Sequence, residues 1–340
     1  MKIIECIPNI SEGKDIEKIK AITNEAKSTA GAYLLDVYTG ASTNRTVLTL
    51  AGNPKAIKEA IYKTFKKTSE LIDMRKHKGV HPRIGSVDVC PFIPVRDMTI
   101  EECIDITREV GQKVAEELDI PVYLYGESAA REERKDLSNI REGGYEKLKE
   151  KLKNPEWKPD FGEAKFNEKS GASIIGARDF LIAFNINLKT KETKLANVIA
   201  EKIRESGTVK VDNNGNKVRV PGTLKEVKAI GWYIEEFGCA QVSTNLIDFR
   251  VTPLHRLFEE VEKEAKKLGV EVAGSELVGL VPEEALLNSG KFYLARESSE
   301  DRSSKNKIIN TAINYLGLSS RYEFFPEEKI MEYKMKKEML

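Results

Sequence analysis

Histidine and cysteine, the residues that carry most nucleophilic and metal chemistry near neutral pH, are scarce in this 340-residue chain, with 3 and 4 copies. Cys6, Cys90, Cys103 and Cys239 are scattered and form no C-x-x-C pair. That pattern argues against a disulfide framework or a zinc ribbon and reads as buried thiols in a reducing compartment. Neither sign of charge dominates: 55 Lys+Arg against 54 Asp+Glu leave a formal net charge of +1. Nothing global therefore points to nucleic acid or to an anionic membrane surface. No stretch approaches the ~20 apolar residues of a membrane helix. The opening MKIIECIPNISEGKD lacks the layout of a secretory signal, so a cytoplasmic protein is expected. A Walker-type glycine loop is also missing, which does not by itself exclude ATP.

What is present suits two soluble domains. A short apolar strand over residues 3–10 leads to a helix over 15–28, then strands over 32–37 and 45–51. Asn53 caps the next helix and Pro54 occupies its first position. A further strand starts at Val87. Strand, helix, strand, strand, helix, strand is the order of a split βαβ unit. The second half repeats it, with a strand over 179–188, a helix from Lys191, a tight hairpin turn at 212–216, two strands, and a helix after Pro253. Ser42-Thr43-Asn44 recurs as Ser243-Thr244-Asn245, and each copy precedes a long amphipathic helix. A duplicated α+β architecture follows, and two such halves facing each other would leave a cleft for a ligand.

Two of the three histidines fall in DMRKHKGVHPRIGSVDVCPFIPV, residues 73–95. Pro82 fixes its own φ and drives His81 out of the helical region, and Gly79 and Gly85 free the backbone around it. The segment is thus a shaped cationic loop, with Arg75, Lys76, Lys78 and Arg83 about His77 and His81. The run from Val87 carries Pro91 and Pro94, which mark it as irregular or edge-like. A loop histidine among cations suits proton transfer on an anionic substrate. A metal site from His77, His81 and Asp88 fits by residue type only, because the loop does not put both imidazoles on one helical face. His255 stands among Leu254, Leu257 and Phe258 and reads as a packed histidine.

Several segments together resemble the glutamate formiminotransferase (glutamate formimidoyltransferase) family: IECIPNISEG, LLDV followed by ASTNRTV, LIDMRKHKGVHPRIGSVDVCPFIPVR, PVYLYGE, PEWKPDFG, GARDFLIAFNINL, AIGWY, AQVSTNLIDF and SELVGLVP. The resemblance implies an α+β fold of two ferredoxin-like α/β-sandwich subdomains facing each other, with a ligand tunnel between them. It places the subdomains at 1–178 and 179–326, leaves 327–340 as a charged tail, and implies a homodimer without a cyclodeaminase domain. The implied reaction moves the formimidoyl group of N-formimidoyl-L-glutamate to N5 of tetrahydrofolate, with folate as co-substrate and no metal. The family's proton-donating histidine falls on His81. Asp36 would orient it or hold the pterin. The folate-contacting stretch falls on Gly162-Glu163-Ala164-Lys165-Phe166-Asn167-Glu168-Lys169-Ser170-Gly171. Val80 and Tyr38 stand where relatives often carry acids. Arg45, Arg83 and Arg178 are candidates for the substrate carboxylates, since guanidinium forks suit them. Trp157 and Phe161 either stack on the folate rings or pack under their loop. Two other readings stay open: an ATP-dependent 5-formyltetrahydrofolate cyclo-ligase, and a non-enzymatic folate-binding protein.

Overall fold

The apolar run at the start of the chain forms β1 (Ile3–Cys6) and β2 (Asn9–Ile10), two pieces of one strand line. A computed structural model describes residues 2–212, 215–297 and 304–339, and the chain divides into two units between Asp179 and Phe180. In the first unit α1 (Ile16–Lys27) follows, then β3 (Ala32–Gly40), β4 (Arg45–Gly52) and α2 (Pro54–Leu71). The Asn53 side chain accepts from the Ala56 N–H at 2.9 Å, the expected cap. After the histidine loop come β5 (Val87–Arg96), α3 (Ile100–Leu118) and β6 (Val122–Gly126). Thr99 and Glu102 close a capping box on α3. Three short helices, α4 (Glu132–Lys135), α5 (Leu137–Arg141) and α6 (Gly144–Lys151), precede β7 (Ser173–Ala177).

These strands form one mixed sheet in which β3 pairs β4, β1 and β2 lie between β4 and β5, and β7 and β6 extend it in parallel. One face packs Ile4, Leu48, Leu50 and Phe92 with residues of α1, α2 and α3, such as Ile22, Ile61 and Val110. The other packs Val89, Tyr123 and Ile174 with Ile140 of α5 and Leu148 of α6.

The proline-bearing strand β5 is not at an edge. It runs through the middle of the sheet, antiparallel to β1 and β2 on one side and parallel to β7 on the other. The Pro91 carbonyl accepts from the Ile7 N–H at 3.0 Å. On that same side the donor that proline lacks falls where β1 gives way to β2, so the break in the neighbour absorbs the defect.

The second unit holds β8 (Ile182–Leu188), α7 (Thr193–Ile203), the ribbon of β9 (Thr208–Val211) and β10 (Lys217–Val220), then β11 (Val227–Ile234), β12 (Cys239–Leu246), α8 (Leu254–Lys267) and β13 (Val272–Val278). Asn213 and Asn214 of the expected hairpin turn lie outside the described residues. Its main sheet runs β11-β12-β8-β13. Matched by chain order, this is the arrangement of β3, β4, β1 and β5. The proline correspondence holds, since Pro54 opens α2 after β4 and Pro253 caps α8 after β12. The triplet correspondence does not: Ser42-Thr43-Asn44 is the turn before β4, whereas Ser243-Thr244-Asn245 lies within β12.

The helices α9 (Glu283–Arg296), α10 (Lys305–Tyr315), α11 (Pro326–Lys329) and α12 (Met331–Met339) complete the second unit's layer. Residues 327–340, read as a charged tail, put Ile330 into that unit's core and bury Met331 and Met335. Three apolar residues in a charged stretch suffice to dock it, because burying such side chains stabilises by roughly 1.5–3 kcal/mol each.

Residues 162–171 cross the chain just after the histidine loop, and glycines allow the crossing. Gly85 and Gly171 form a bridge. A Cβ on Gly85 would lie 2.0 Å from the Ala172 carbonyl oxygen, and one on Gly171 would lie 2.1 Å from that of Ile84. Gly171 also has φ +69°, whereas Gly79 and Gly85 have no positive φ and are needed for close approach alone. Gly171→Ala is expected to cost about 1–3 kcal/mol from its backbone conformation and more from the contact. Urea denaturation checks this, and a midpoint unchanged from the parent would refute the crossing.

Candidate active site

The turn before β4 supports the histidine loop. Asn44, in a left-handed conformation (φ 48°), donates to the Lys78 carbonyl at 2.9 Å and accepts from the Gly13 N–H at 2.9 Å. The Val80 N–H donates to the Ser42 carbonyl at 3.3 Å. Asparagine tolerates this backbone conformation better than most residues, so the triplet taken as a repeat marker is in fact a brace.

His77 uses both ring nitrogens in the loop's own structure. Nε2 donates to the Asn44 carbonyl at 2.8 Å, and Nδ1 accepts from Arg83 Nε at 3.0 Å. Arg83 in turn grips Glu146 of α6 through Nη2 at 2.7 Å and Nη1 at 2.9 Å. Its guanidinium is thus engaged in a latch between the loop and α6. His77 lies below the ordinary imidazole range because it is buried, an effect that the Asn44 carbonyl opposes.

His81 is held differently. Its Nδ1 donates to the Pro82 carbonyl at 2.7 Å, and its Nε2 accepts from Arg45 Nη1 at 3.0 Å. Those bonds select the neutral ring with the proton on Nδ1. Burial, then the charges of Arg45 and Arg141, push its proton affinity well below the ordinary imidazole value. Orientation comes from a backbone carbonyl.

Arg45 opens β4 beside the brace. Burial and the neighbouring Arg141 lower its guanidinium to about 9, which leaves it charged at neutral pH. Asp88 of β5 accepts from the Ile84 N–H at 2.8 Å and from Arg141 Nη2 at 2.5 Å. With Ser11, Thr43 and Asn44, the side chains of Arg45, His77, His81, Arg83 and Asp88 line a small, shallow concavity, half open to solvent.

Of the sequence candidates, then, His81, Arg45 and Arg83 converge, although Arg83 is already engaged. Asp36 is half-buried on β3 opposite Thr49 and does not line the concavity. Arg178 follows β7, where Nη1 donates to the Asp179 carbonyl at 2.7 Å and the side chain hydrogen-bonds the buried Tyr125 phenol. Tyr125 is raised by its burial and is also within electrostatic reach of Arg141.

The 162–171 segment is anchored at several points. The Met74 N–H donates to the Lys169 carbonyl at 2.9 Å, the Ser86 N–H to Ser170 at 2.8 Å, and the Tyr145 hydroxyl to Glu168 at 2.5 Å. Asn167 donates to the Asp119 carbonyl and Phe166 packs on Tyr145, while Gly162, Glu163, Ala164, Lys165, Glu168 and Lys169 remain exposed. Trp157 and Phe161 pack under this region. Trp157 meets Tyr123 edge-on at 6.5 Å and carries Lys151 Nζ 3.8 Å over its ring, and Phe161 lies against Gly111 of α3. The buried Arg134 ties residues 156–160 down through the Glu156 and Lys158 carbonyls and Asp160. His255 stacks on Phe292 at 4.0 Å, the packed histidine expected. Among the described residues no group of three or more His, Cys, Asp or Glu side chains is placed to hold a metal ion, and no helix is long and apolar enough to cross a membrane.

Arg141 was not among the sequence candidates. It sits in a stretch where nearly every second residue is charged, and only the tertiary contact with Asp88 sets it apart.

Residues 3–178 match the family described as the formiminotransferase domain, N-terminal subdomain, and residues 183–336 match the formiminotransferase domain. The chain is 43% identical to the glutamate formimidoyltransferase of Streptococcus pyogenes serotype M1, over 87% of this chain and 94% of that one. It is 40% identical to the glutamate formimidoyltransferase of Thermoplasma acidophilum, over 92% of this chain and 99% of that one. The formimidoyltransferase-cyclodeaminase of Rattus norvegicus is 50% identical over 98% of this chain, which spans 60% of that protein's length. A likeness to a solved microcompartment protein from Desulfitobacterium hafniense, at TM-score 0.21 and 10% identity over 82% of this chain and 94% of that one, is too slight to bear on the fold.

All three histidines are held below their ordinary proton affinity, by burial first. Above pH 6.5 this carries no penalty, since both states are neutral. As pH falls through 6.5 the unfolded chain takes up protons that the folded chain refuses, so stability is lost. Most carboxylates titrate lower, below about pH 5. We expect the urea midpoint to fall between pH 7.5 and 5.5, and to fall less in His81→Gln. Equal drops in the two proteins would mean that His81 is not held neutral.

Proposed function

The chain belongs to the formiminotransferase domain family, and we propose that it transfers the formimidoyl group of N-formimidoyl-L-glutamate to N5 of tetrahydrofolate, giving 5-formimidoyltetrahydrofolate and L-glutamate in histidine degradation and one-carbon metabolism. The observation that carries the mechanism is a neutral imidazole whose Nε2 meets a guanidinium at 3.0 Å in a solvent-open concavity.

The amidinium carbon of the donor is electrophilic. Attack by N5 gives a tetrahedral adduct with one proton too many on N5 and one too few on the glutamate nitrogen, which leaves only as an amine. His81 moves that proton: it accepts it from N5 as a base and delivers it to the departing nitrogen as an acid, ending as it began. A ring held neutral at rest is ready for the first half of this cycle. Arg45 must release Nε2 for it to act, and a substrate carboxylate provides a better acceptor for that guanidinium. Holding two substrates in register supplies much of the remaining rate.

The finer architecture belongs to the same reading. The shared strand order of the two units supports ferredoxin-like subdomains; a tunnel between facing subdomains, a homodimer and a cytoplasmic setting are kept on the family resemblance alone. The segment from Gly162 to Gly171 serves as the folate contact. Its exposed first half and anchored second half support that role, and its attachment to Ile84-Gly85-Ser86 ties it to the His81 loop. Asp36 and Arg178 are kept for the pterin and a substrate carboxylate.

His81→Ala is expected to lower turnover by roughly 10² to 10⁴ while leaving tetrahydrofolate binding nearly unchanged. His77→Ala removes a latch rather than the proton carrier, and should cost much less turnover than stability. Full activity in the His81 variant with a dead His77 variant would place the proton on the wrong ring. The assay runs on purified protein with formimidoylglutamate and tetrahydrofolate, with and without ATP. Turnover only with ATP and 5-formyltetrahydrofolate would select the cyclo-ligase reading, and folate binding without turnover would select the carrier. A sedimentation mass near 38 kDa at micromolar concentration would count against the dimer.

A further inference from the structure

We propose that Arg141, acting with Arg45, clamps the α-carboxylate of the amidine substrate beside His81. This assignment rests on the transfer reading above and adds to it a substrate-binding residue and the substrate group it takes.

Charge is the first reason. Arg83 is matched by the Glu146 carboxylate. That leaves Arg45 and Arg141 sharing Asp88, which is nearly inaccessible, its side chain 2% exposed. Two guanidiniums against one carboxylate in a partly desolvated site favour the arrival of a second anion. Burial first, and then the Arg141 charge, lowers the Arg45 guanidinium.

Donor geometry is the second. The Nε atoms of Arg45 and Arg141 are both buried, and neither meets an acceptor among the described residues. Buried guanidinium N–H groups are costly to leave unmatched. On Arg45, Nε with the Nη2 beside it is the fork that receives a carboxylate side-on, while on Arg141, whose Nη2 is given to Asp88, Nε contributes alone.

The reaction itself selects which carboxylate. The α-carboxylate shares a carbon with the nitrogen that His81 must protonate, whereas the side-chain carboxylate lies two methylenes further away. A group that binds the α-carboxylate must therefore adjoin the proton carrier, and Arg45 Nη1 touches His81 Nε2.

The test crosses a protein change with a substrate change. The variants are Arg141→Lys and the double variant Arg141→Met with Asp88→Asn, which removes both partners of that pair and keeps the net charge of the site if the single change fails to fold. The substrates are N-formimidoyl-L-glutamate and N-formimidoyl-4-aminobutyrate, which lacks only the α-carboxylate. The variants should raise KM for the first by about 10- to 100-fold, the worth of a charge-assisted pair. KM for tetrahydrofolate and the already poor use of the second substrate should barely move. Equal losses on both amidines, or an equal rise in the folate KM, would overturn the clamp. Calorimetric titration of the intact protein with L-glutamate and 4-aminobutyrate separates this from the proposed activity. Glutamate binding lost in Arg141→Lys supports the clamp even in a protein without transferase turnover. Transfer that proceeds with no preference for the α-carboxylate overturns the clamp and leaves the transferase reading intact.

Discussion

The Asp88 carboxylate connects the sheet, the histidine loop and the cationic site. It stands on the central strand β5 at a register shift opposite β2, so its side chain is spared from the regular alternation of the strand. One oxygen takes the Ile84 N–H and so fixes where the histidine loop re-enters the sheet, and the other takes Arg141 of α5. Without it, Arg141 would be a buried cation with no counter-charge and the exit of the loop would lose a backbone tether. Breaking such a pair by removing one partner costs about 3–5 kcal/mol, far more than a surface ion pair contributes. The lysine–glutamate pairs on the helices, such as Lys20–Glu17 and Lys153–Glu150, are exposed on both sides and belong to that weaker class.

Around that centre the loop is held by partners from different elements, and each leaves its neighbour free for another task. His77 and Arg83 hold each other and reach Asn44 and Glu146. The Ser42–Asn44 turn props the outer limb. Residues 169–172 cross the inner limb at the Gly85–Gly171 contact. Because these bonds secure the loop, His81 is not needed for its structure and can present Nε2 to the concavity. Two histidines four residues apart thus differ in role through their bonding partners. The Nε2 of His77 is given to a fixed backbone carbonyl, whereas that of His81 meets a side chain, the Arg45 guanidinium.

Local signals made much of this legible in the sequence. Pro82 and the nearby glycines announced a bent loop, Asn53-Pro54 announced a helix start, and the order of strands and helices suggested two similar halves. What stayed hidden depended on contacts between residues distant in sequence. Pro91 reads as an edge or irregular position, since nothing local shows that the neighbouring strand breaks opposite it. Ser42-Thr43-Asn44 reads as one copy of a repeat, because its bonds go to residues more than thirty positions away. Arg141 is one arginine in a charged helix until Asp88 is placed beside it. The tail reads as solvated because charged residues outnumber Ile330, Met331 and Met335, yet burial is decided by the few apolar side chains on one side.

The same arrangement answers a chemical question that the sequence poses. A histidine flanked by Arg45, Arg83 and Arg141, preceded by Val80 and with no carboxylate at the neighbouring Tyr38 position, is a poor resident acid. Burial first, and then the Arg45 and Arg141 charges, hold it neutral. On the proposed transfer reading, the carboxylates of a dianionic substrate would compensate the guanidiniums, draw Arg45 away from Nε2, and so raise the proton affinity of the ring when a proton must be carried. The substrate then provides the negative charge that a fixed acidic neighbour would otherwise supply. On this account proton transfer is tied to occupancy by the correct anion.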